Sequence, residues 1–197
     1  LNRELSEIID PKIASFRLSN LMILYNNMLQ SLFDSQILTL GVVALVLFLM
    51  FLILFKSFSI AFIAIISNII PIGVIFGLMG WFAIPLDLMT ITIAAISIGI
   101  GVDDTIHYIH RYKEEFHFDR DYILTMRRTH NSIGYAMFYT SFAVIVGFSI
   151  LIFSNFIPTI YFGLLTMLVM IVVLLSALLL LPKLLIVFQP FKKKIIK

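Results

Sequence analysis

The side chains best equipped for chemistry stand together. Asp103 and Asp104 are followed by His107 within GIGVDDTIHYIHR, residues 99–111. On a helix, Asp103 and His107 are spaced i, i+4 and Asp104 and His107 are spaced i, i+3, so both pairs can meet on the surface. Two adjacent carboxylates away from bulk water cannot both stay ionised cheaply, so at least one is expected to take up and release a proton near neutrality. His107 could pass that proton on, because imidazole changes charge in the physiological range. His110 and Arg111 extend the line and are read as anchors in the headgroup zone. Other site chemistries fit poorly, and no catalytic residue is expected. His107, His110, His117 and His130 lack metal-ligand spacing. The GIG triplet lacks the strand–turn–helix setting of a dinucleotide site. There is no cysteine to ligate or cross-link. Neither a metal nor an organic cofactor is expected.

The elements that hold these groups follow from composition. The 197 residues are 61% hydrophobic and 13% charged, with a mean hydropathy of +1.08. Soluble domains are about half apolar and about a quarter charged. The sequence therefore describes an integral membrane protein. Lipid cannot satisfy free backbone groups, so the expected fold is an all-α membrane protein, a bundle of five transmembrane helices. The apolar segments lie at about 37–55, 60–84, 88–110, 133–153 and 160–188, each near the roughly 20 residues that cross a bilayer.

Residues 1–36 are mixed and polar, without the apolar run of a signal peptide, and are read as the end of an extracytoplasmic domain and its lead-in. Within them, residues 21–25 suit a short strand or a helix at the interface. Residues 111–132 are read as an amphipathic cytoplasmic connector and 189–197 as a basic cytoplasmic tail. The chain opens on Leu1 and is read as a piece of a longer product, either a fragment or a half-size transporter. Lys56, Arg111, Lys113, Arg120, Arg127, Arg128, Lys183 and the lysines of the tail fall on one side, and the short loops of the other side carry none. By the positive-inside rule the N-terminal segment is extracytoplasmic and the C-terminus cytoplasmic, in the inner or plasma membrane.

Counting along the helices places further polar residues near the carboxyl pair. Asp103 lies about 15 residues, roughly 22 Å, along its helix, where a charge is costly and usually functional. Asn68, Thr140, Ser141 and Ser176 fall near the same level and form a supporting polar layer. Singly, each could be interhelical glue at about 0.6 kcal/mol per contact. Pro71 frees the carbonyl of Ser67, and Asn68 is expected to help satisfy the opened backbone. Gly73-xxx-Gly77, Gly77-xx-Gly80, Ser97-xxx-Gly101 and Gly134 are expected to let helices approach closely.

The stretch GIGVDDTIHYIHRYKEE resembles the signature helix of the resistance–nodulation–division superfamily, in its MMPL-type or predicted-exporter branch. Further likenesses follow in order along the chain: Phe55-Lys56-Ser57-Phe58, Asn68-Ile69-Ile70-Pro71, Ile84-Pro85-Leu86-Asp87, Phe162-Gly163-Leu164-Leu165-Thr166 and Leu181-Pro182. The five-helix unit is also similar to sterol-sensing domains. The resemblance implies a half-repeat of a transporter that exports a hydrophobic or lipid-like substrate, with protons as the coupling ion. It implies a proton site at Asp103, with Asp104 as coupled partner and His107 as relay. The position of Ala177, acidic in some relatives, is not acidic here.

The partners so implied are membrane lipids, the lipid substrate and the remainder of the transporter, with a homo-oligomer as a further arrangement and no nucleic acid. Two other readings compete: a non-transporting sterol- or lipid-sensing module, and a scaffold that assembles with another chain.

Overall fold

The computed structural model describes residues 21–84 and 88–191. They are helical almost throughout: α1 spans Leu21–Phe55, α2 Phe58–Trp81, α3 Leu88–Asp119, α4 Tyr122–Thr129, α5 Tyr135–Ser149, α6 Ile157–Leu175 and α7 Leu181–Phe188. Two segments of wider, π-type winding join α4 to α5 and α6 to α7, at His130–Gly134 and Ser176–Leu180. The joined pieces make two rods, Tyr122–Phe153 and Ile157–Phe188, which with Leu24–Phe55 and Phe58–Trp81 are long and apolar enough to cross a membrane. α3 is of mixed character. Its first half is apolar, and the half after Val102 carries charged and aromatic groups.

The chain divides into two compact units, Leu1–Thr39 and Leu40–Lys197. In the first, the described residues are helical. The second holds the bundle, in which α3 and α6 contact each other and α2 contacts both. Its apolar core forms two clusters. One contains Phe51, Ile63, Tyr108, Ile109, Leu181 and Leu185. The other contains Ile75, Met79, Ile93, Leu165, Val169 and Val173. Along α2, α3 and α6 the buried polar residues Ser67, Asn68, Asp104, Thr105 and Ser176 fall between the two clusters.

Several boundaries differ from the sequence reading, each for a physical reason. Residues 21–36, expected as a lead-in, fall in the first unit and are helical throughout. Their polar side chains are compatible with a helix, and α1 begins at Leu21. Residues 111–132 are not one surface connector. Arg111 reaches Glu115 at 2.6 Å and His110 reaches Glu114 at 3.4 Å, i, i+4 pairs that sustain α3 beyond its apolar part. The helix stops only at Arg120, which takes a left-handed φ of 53°. The Asp121 carboxylate then caps α4, accepting from the amides of Ile123 (2.8 Å) and Leu124 (3.0 Å). The fourth apolar helix therefore starts well before residue 133. The last rod starts at Ile157, with Pro158 in its first turn where the missing N–H costs nothing. Residues 1–20, the loop 85–87 and the lysines 192–194 lie outside the described residues.

At the basic end an aromatic clamp holds the chain after α7. Phe191 packs on Tyr112, Phe116 and Tyr122, with ring centroids 5.8, 5.2 and 6.2 Å away. The Tyr122 hydroxyl donates to the Phe191 carbonyl (2.6 Å) and accepts from its amide (2.9 Å). The Tyr112 hydroxyl donates to the Tyr122 carbonyl (2.7 Å). Burial pushes the Tyr112 hydroxyl above the ordinary tyrosine range, so it stays a donor into alkali.

Candidate functional site

The site is built where α2 meets α3. The Asn68 Nδ2 amide donates to the Ala64 carbonyl (2.8 Å) and across the helix interface to Thr105 Oγ1 (2.9 Å). Its Oδ1 faces Gly101 so closely that a Cβ there would stand 2.6 Å away. Gly101 is thus a point of close approach, with Thr105 one turn further on the same face of α3. Gly163 is similarly tight, with Leu151 Cβ 2.8 Å from a Cβ built on it, whereas at Gly134 the nearest atom is at an ordinary contact distance of 3.6 Å. By contrast, among the described residues nothing lies within 4 Å of a Cβ built on Gly73, Gly77 or Gly80. Of the small residues expected to let helices approach, Gly101 does so closely and Gly134 at ordinary contact distance.

A second link joins α2 to the last rod. Pro71 has no N–H to give the Ser67 carbonyl four residues back. That carbonyl accepts from Ser176 Oγ at 2.6 Å, and the two serine hydroxyls lie 3.1 Å apart. The freed carbonyl is therefore satisfied by Ser176. Asn68, the expected partner, is occupied with Ala64 and Thr105. Ser176 also opens the π-wound segment, so this bond crosses where α2 carries its proline and the last rod departs from α winding.

The carboxyl pair lies beside this layer, and its two members are unlike. Asp104 turns into the bundle and is 6% exposed. Its Oδ2 is buried and has no hydrogen-bond partner among the described residues. Asp103 turns outward with a side chain 73% exposed, and its Oδ1 lies 3.4 Å from His107 Nε2. Thr92, Ala95, Gly99, Asp103, His107 and His110 form one exposed stripe along α3. This stripe is small and polar, while the exposed faces of α1 and α5 carry Leu, Val, Ile and Phe.

The remaining expected members of the layer do not join it through hydrogen bonds. Thr140 donates to the Met137 carbonyl of its own helix (3.0 Å) and is exposed. Ser141 is buried, with its Oγ unpartnered. Thr105 and Ser67 were absent from the expected set. Both had a sequence signal: Thr105 is four residues after the close-approach Gly101, and Ser67 is four residues before Pro71. Chemically, the arrangement offers two adjacent carboxyls in contrasting surroundings, one within 3.4 Å of an imidazole and one buried, on a helix tied to α2 by the Asn68–Thr105 bond, while the Ser176–Ser67 bond ties α2 to the last rod.

The sequence model of the MMPL family matches residues 22–196. No curated protein and no solved structure matches the chain.

Proposed function

The chain belongs to the MMPL family, whose members are membrane transporters rather than enzymes, and on that premise we propose that it exports a hydrophobic or lipid-like substrate at the expense of the proton gradient. The proton is exchanged at Asp103 and Asp104, with His107 as relay. The observation that carries this reading is the contrast between the two carboxyls. A carboxylate buried without a partner is costly. Either a proton or a movement of α3 that brings a partner relieves that cost, so proton binding and helix position are linked. The Asn68–Thr105 and Ser176–Ser67 bonds hold α2 against α3 and the last rod at this level, and a shift of α3 works against them.

The outward stripe of α3 supports the same reading. Charged groups at membrane depth face water or protein rather than lipid. The remainder of the transporter, or a second copy of the chain, would cover Asp103 and His107. In the orientation given by the lysines and arginines, the clamp end of the bundle faces the cytoplasm and the N-terminal segment lies outside it. The membrane is then the cell's inner or plasma membrane.

Export of a fluorescent long-chain lipid by the intact protein tests the proposal. Asp103→Asn and Asp104→Asn are each expected to cut export at least tenfold while membrane insertion is retained. Wild-type export by the double variant would overturn it.

A second reading, lipid sensing without transport, draws on a groove of about 320 Å³ lined by Gly41, Ala44, Leu47, Asn68, Gly73 and Phe76 among others. An acyl chain seated there would press on Asn68. Lipid retained by a variant with neither carboxyl, with a partner response intact, would favour this reading over export.

A further inference from the structure

One interhelical bond lies away from the carboxyl layer. His130 Nε2 is 2.8 Å from the Leu178 carbonyl. A carbonyl only accepts, so Nε2 carries the hydrogen and donates. Leu178 stands four residues before Pro182, which has no N–H to offer it. The bond also joins the two π-wound segments of the rods, His130–Gly134 and Ser176–Leu180. Buried Gly134 lies beside Leu178, whose Cδ2 would be in ordinary contact, 3.6 Å, with a Cβ at that position.

The first of these segments is also gripped by α3. Arg111 Nε donates to Ser132 Oγ at 3.1 Å. The Tyr108 hydroxyl lies 3.5 Å from His130 Nε2, and the two rings are 5.7 Å apart. Tyr108 is one helical turn beyond Asp104, and Arg111 one turn beyond His107. The helix that bears the carboxyls therefore packs against the joint that ties the rods together. π-wound turns are sites where a helix can change register, and they recur at functional positions. A one-residue change moves the helix by about 1.5 Å and about 100°.

We infer that His130 is a positioning residue, a latch that fastens the π-wound joint of the Tyr122–Phe153 rod to the proline-opened turn of the Ile157–Phe188 rod, so that a shift of α3 moves both rods together. The inference rests on the proposed proton exchange at Asp103 and Asp104. It goes further by naming the element that carries the movement onward.

The test uses the intact protein in proteoliposomes, with pyranine inside to report protons and a fluorescent long-chain lipid to report export. Spin labels on cysteines placed at Tyr135 and Leu179, both exposed, report the distance between the rods. His130→Phe keeps the ring and loses the donor; His130→Gln keeps an N–H donor. H130F is expected to widen the label distance distribution at least twofold and to cut lipid exported per proton at least fivefold. H130Q is expected to restore both to within twofold. Pro182→Ala supplies Leu178 with an ordinary helical donor but no link between the rods, so it should not rescue H130F. Wild-type behaviour of H130F, no recovery in H130Q, or rescue by P182A would each overturn the latch. The label distances judge the latch without reference to protons. Failure of the proton reading would appear separately, as unchanged pyranine signals when Asp103 and Asp104 are replaced.

Discussion

Gly101→Ala is the sharpest perturbation of the site. The new methyl would stand 2.6 Å from Asn68 Oδ1, against 3.4 Å where ordinary contact begins. An unrestrained Asn side chain would swing aside. This one is held on both donor hydrogens, by Ala64 and Thr105. Either α2 and α3 part, or Asn68 gives up its bonds. Overpacking of this kind costs about 1–3 kcal/mol, and an interhelical hydrogen bond in a bilayer is worth about 0.6 kcal/mol, up to about 1.7. The expected loss is about 2 kcal/mol, read from reversible unfolding of the protein in mixed micelles.

In an Asn68→Ala background the nearest remaining neighbour of the methyl is Val173 Cγ1 at 3.5 Å, an ordinary contact. There G101A is expected to change stability by less than about 0.5 kcal/mol, and the two substitutions should be strongly non-additive. Stability within about 0.5 kcal/mol of wild type for G101A alone, or additive effects, would refute the close approach described here.

Other outcomes follow from the same contacts. Ser176→Ala strips the Ser67 carbonyl of its donor and should cost about 1 kcal/mol; Pro71→Ala, which restores a helical N–H, should remove most of that penalty in the same unfolding assay. Tyr122→Phe deletes both bonds to Phe191 and should speed amide exchange at Phe191 about thirtyfold, given about 1 kcal/mol per bond. Because burial raises the Tyr112 hydroxyl, the folded state holds its proton more tightly than the unfolded chain. The stability it contributes is fully present below the ordinary tyrosine value of about 10 and is lost as pH rises beyond it. Phe191 exchange protection should therefore be level through neutral pH and fall in alkali.

The all-helical fold was legible because uninterrupted apolar runs leave a membrane chain no other way to satisfy its backbone. The C-terminal end of α3 and the start of the Tyr122–Phe153 rod were not. Polarity signals where apolar surroundings stop, whereas a helix stops where backbone dihedrals break, here at Arg120. Depth counting brought Asn68, Ser176 and the carboxyl pair to one level, but level says nothing of azimuth. Thr140 shares the depth and bonds only to its own helix. The same limit hid the difference between Asp103 and Asp104. Adjacent residues differ by about 100° around a helix, which is enough to put one outside and its neighbour within. The link from His130 to Leu178 was hidden for another reason: 48 residues separate the partners, and Pro182 signals an opened carbonyl without saying who closes it.

The central claim is that the carboxyl pair of α3 takes up the transported proton. pH-difference infrared spectroscopy of the intact protein in lipid reads this directly, through the carbonyl stretch of a protonated carboxyl. The account predicts a band that grows as pH falls, shrinks in Asp103→Asn and in Asp104→Asn, and vanishes in the double variant together with proton-driven lipid export. A band of wild-type size in the double variant would contradict it.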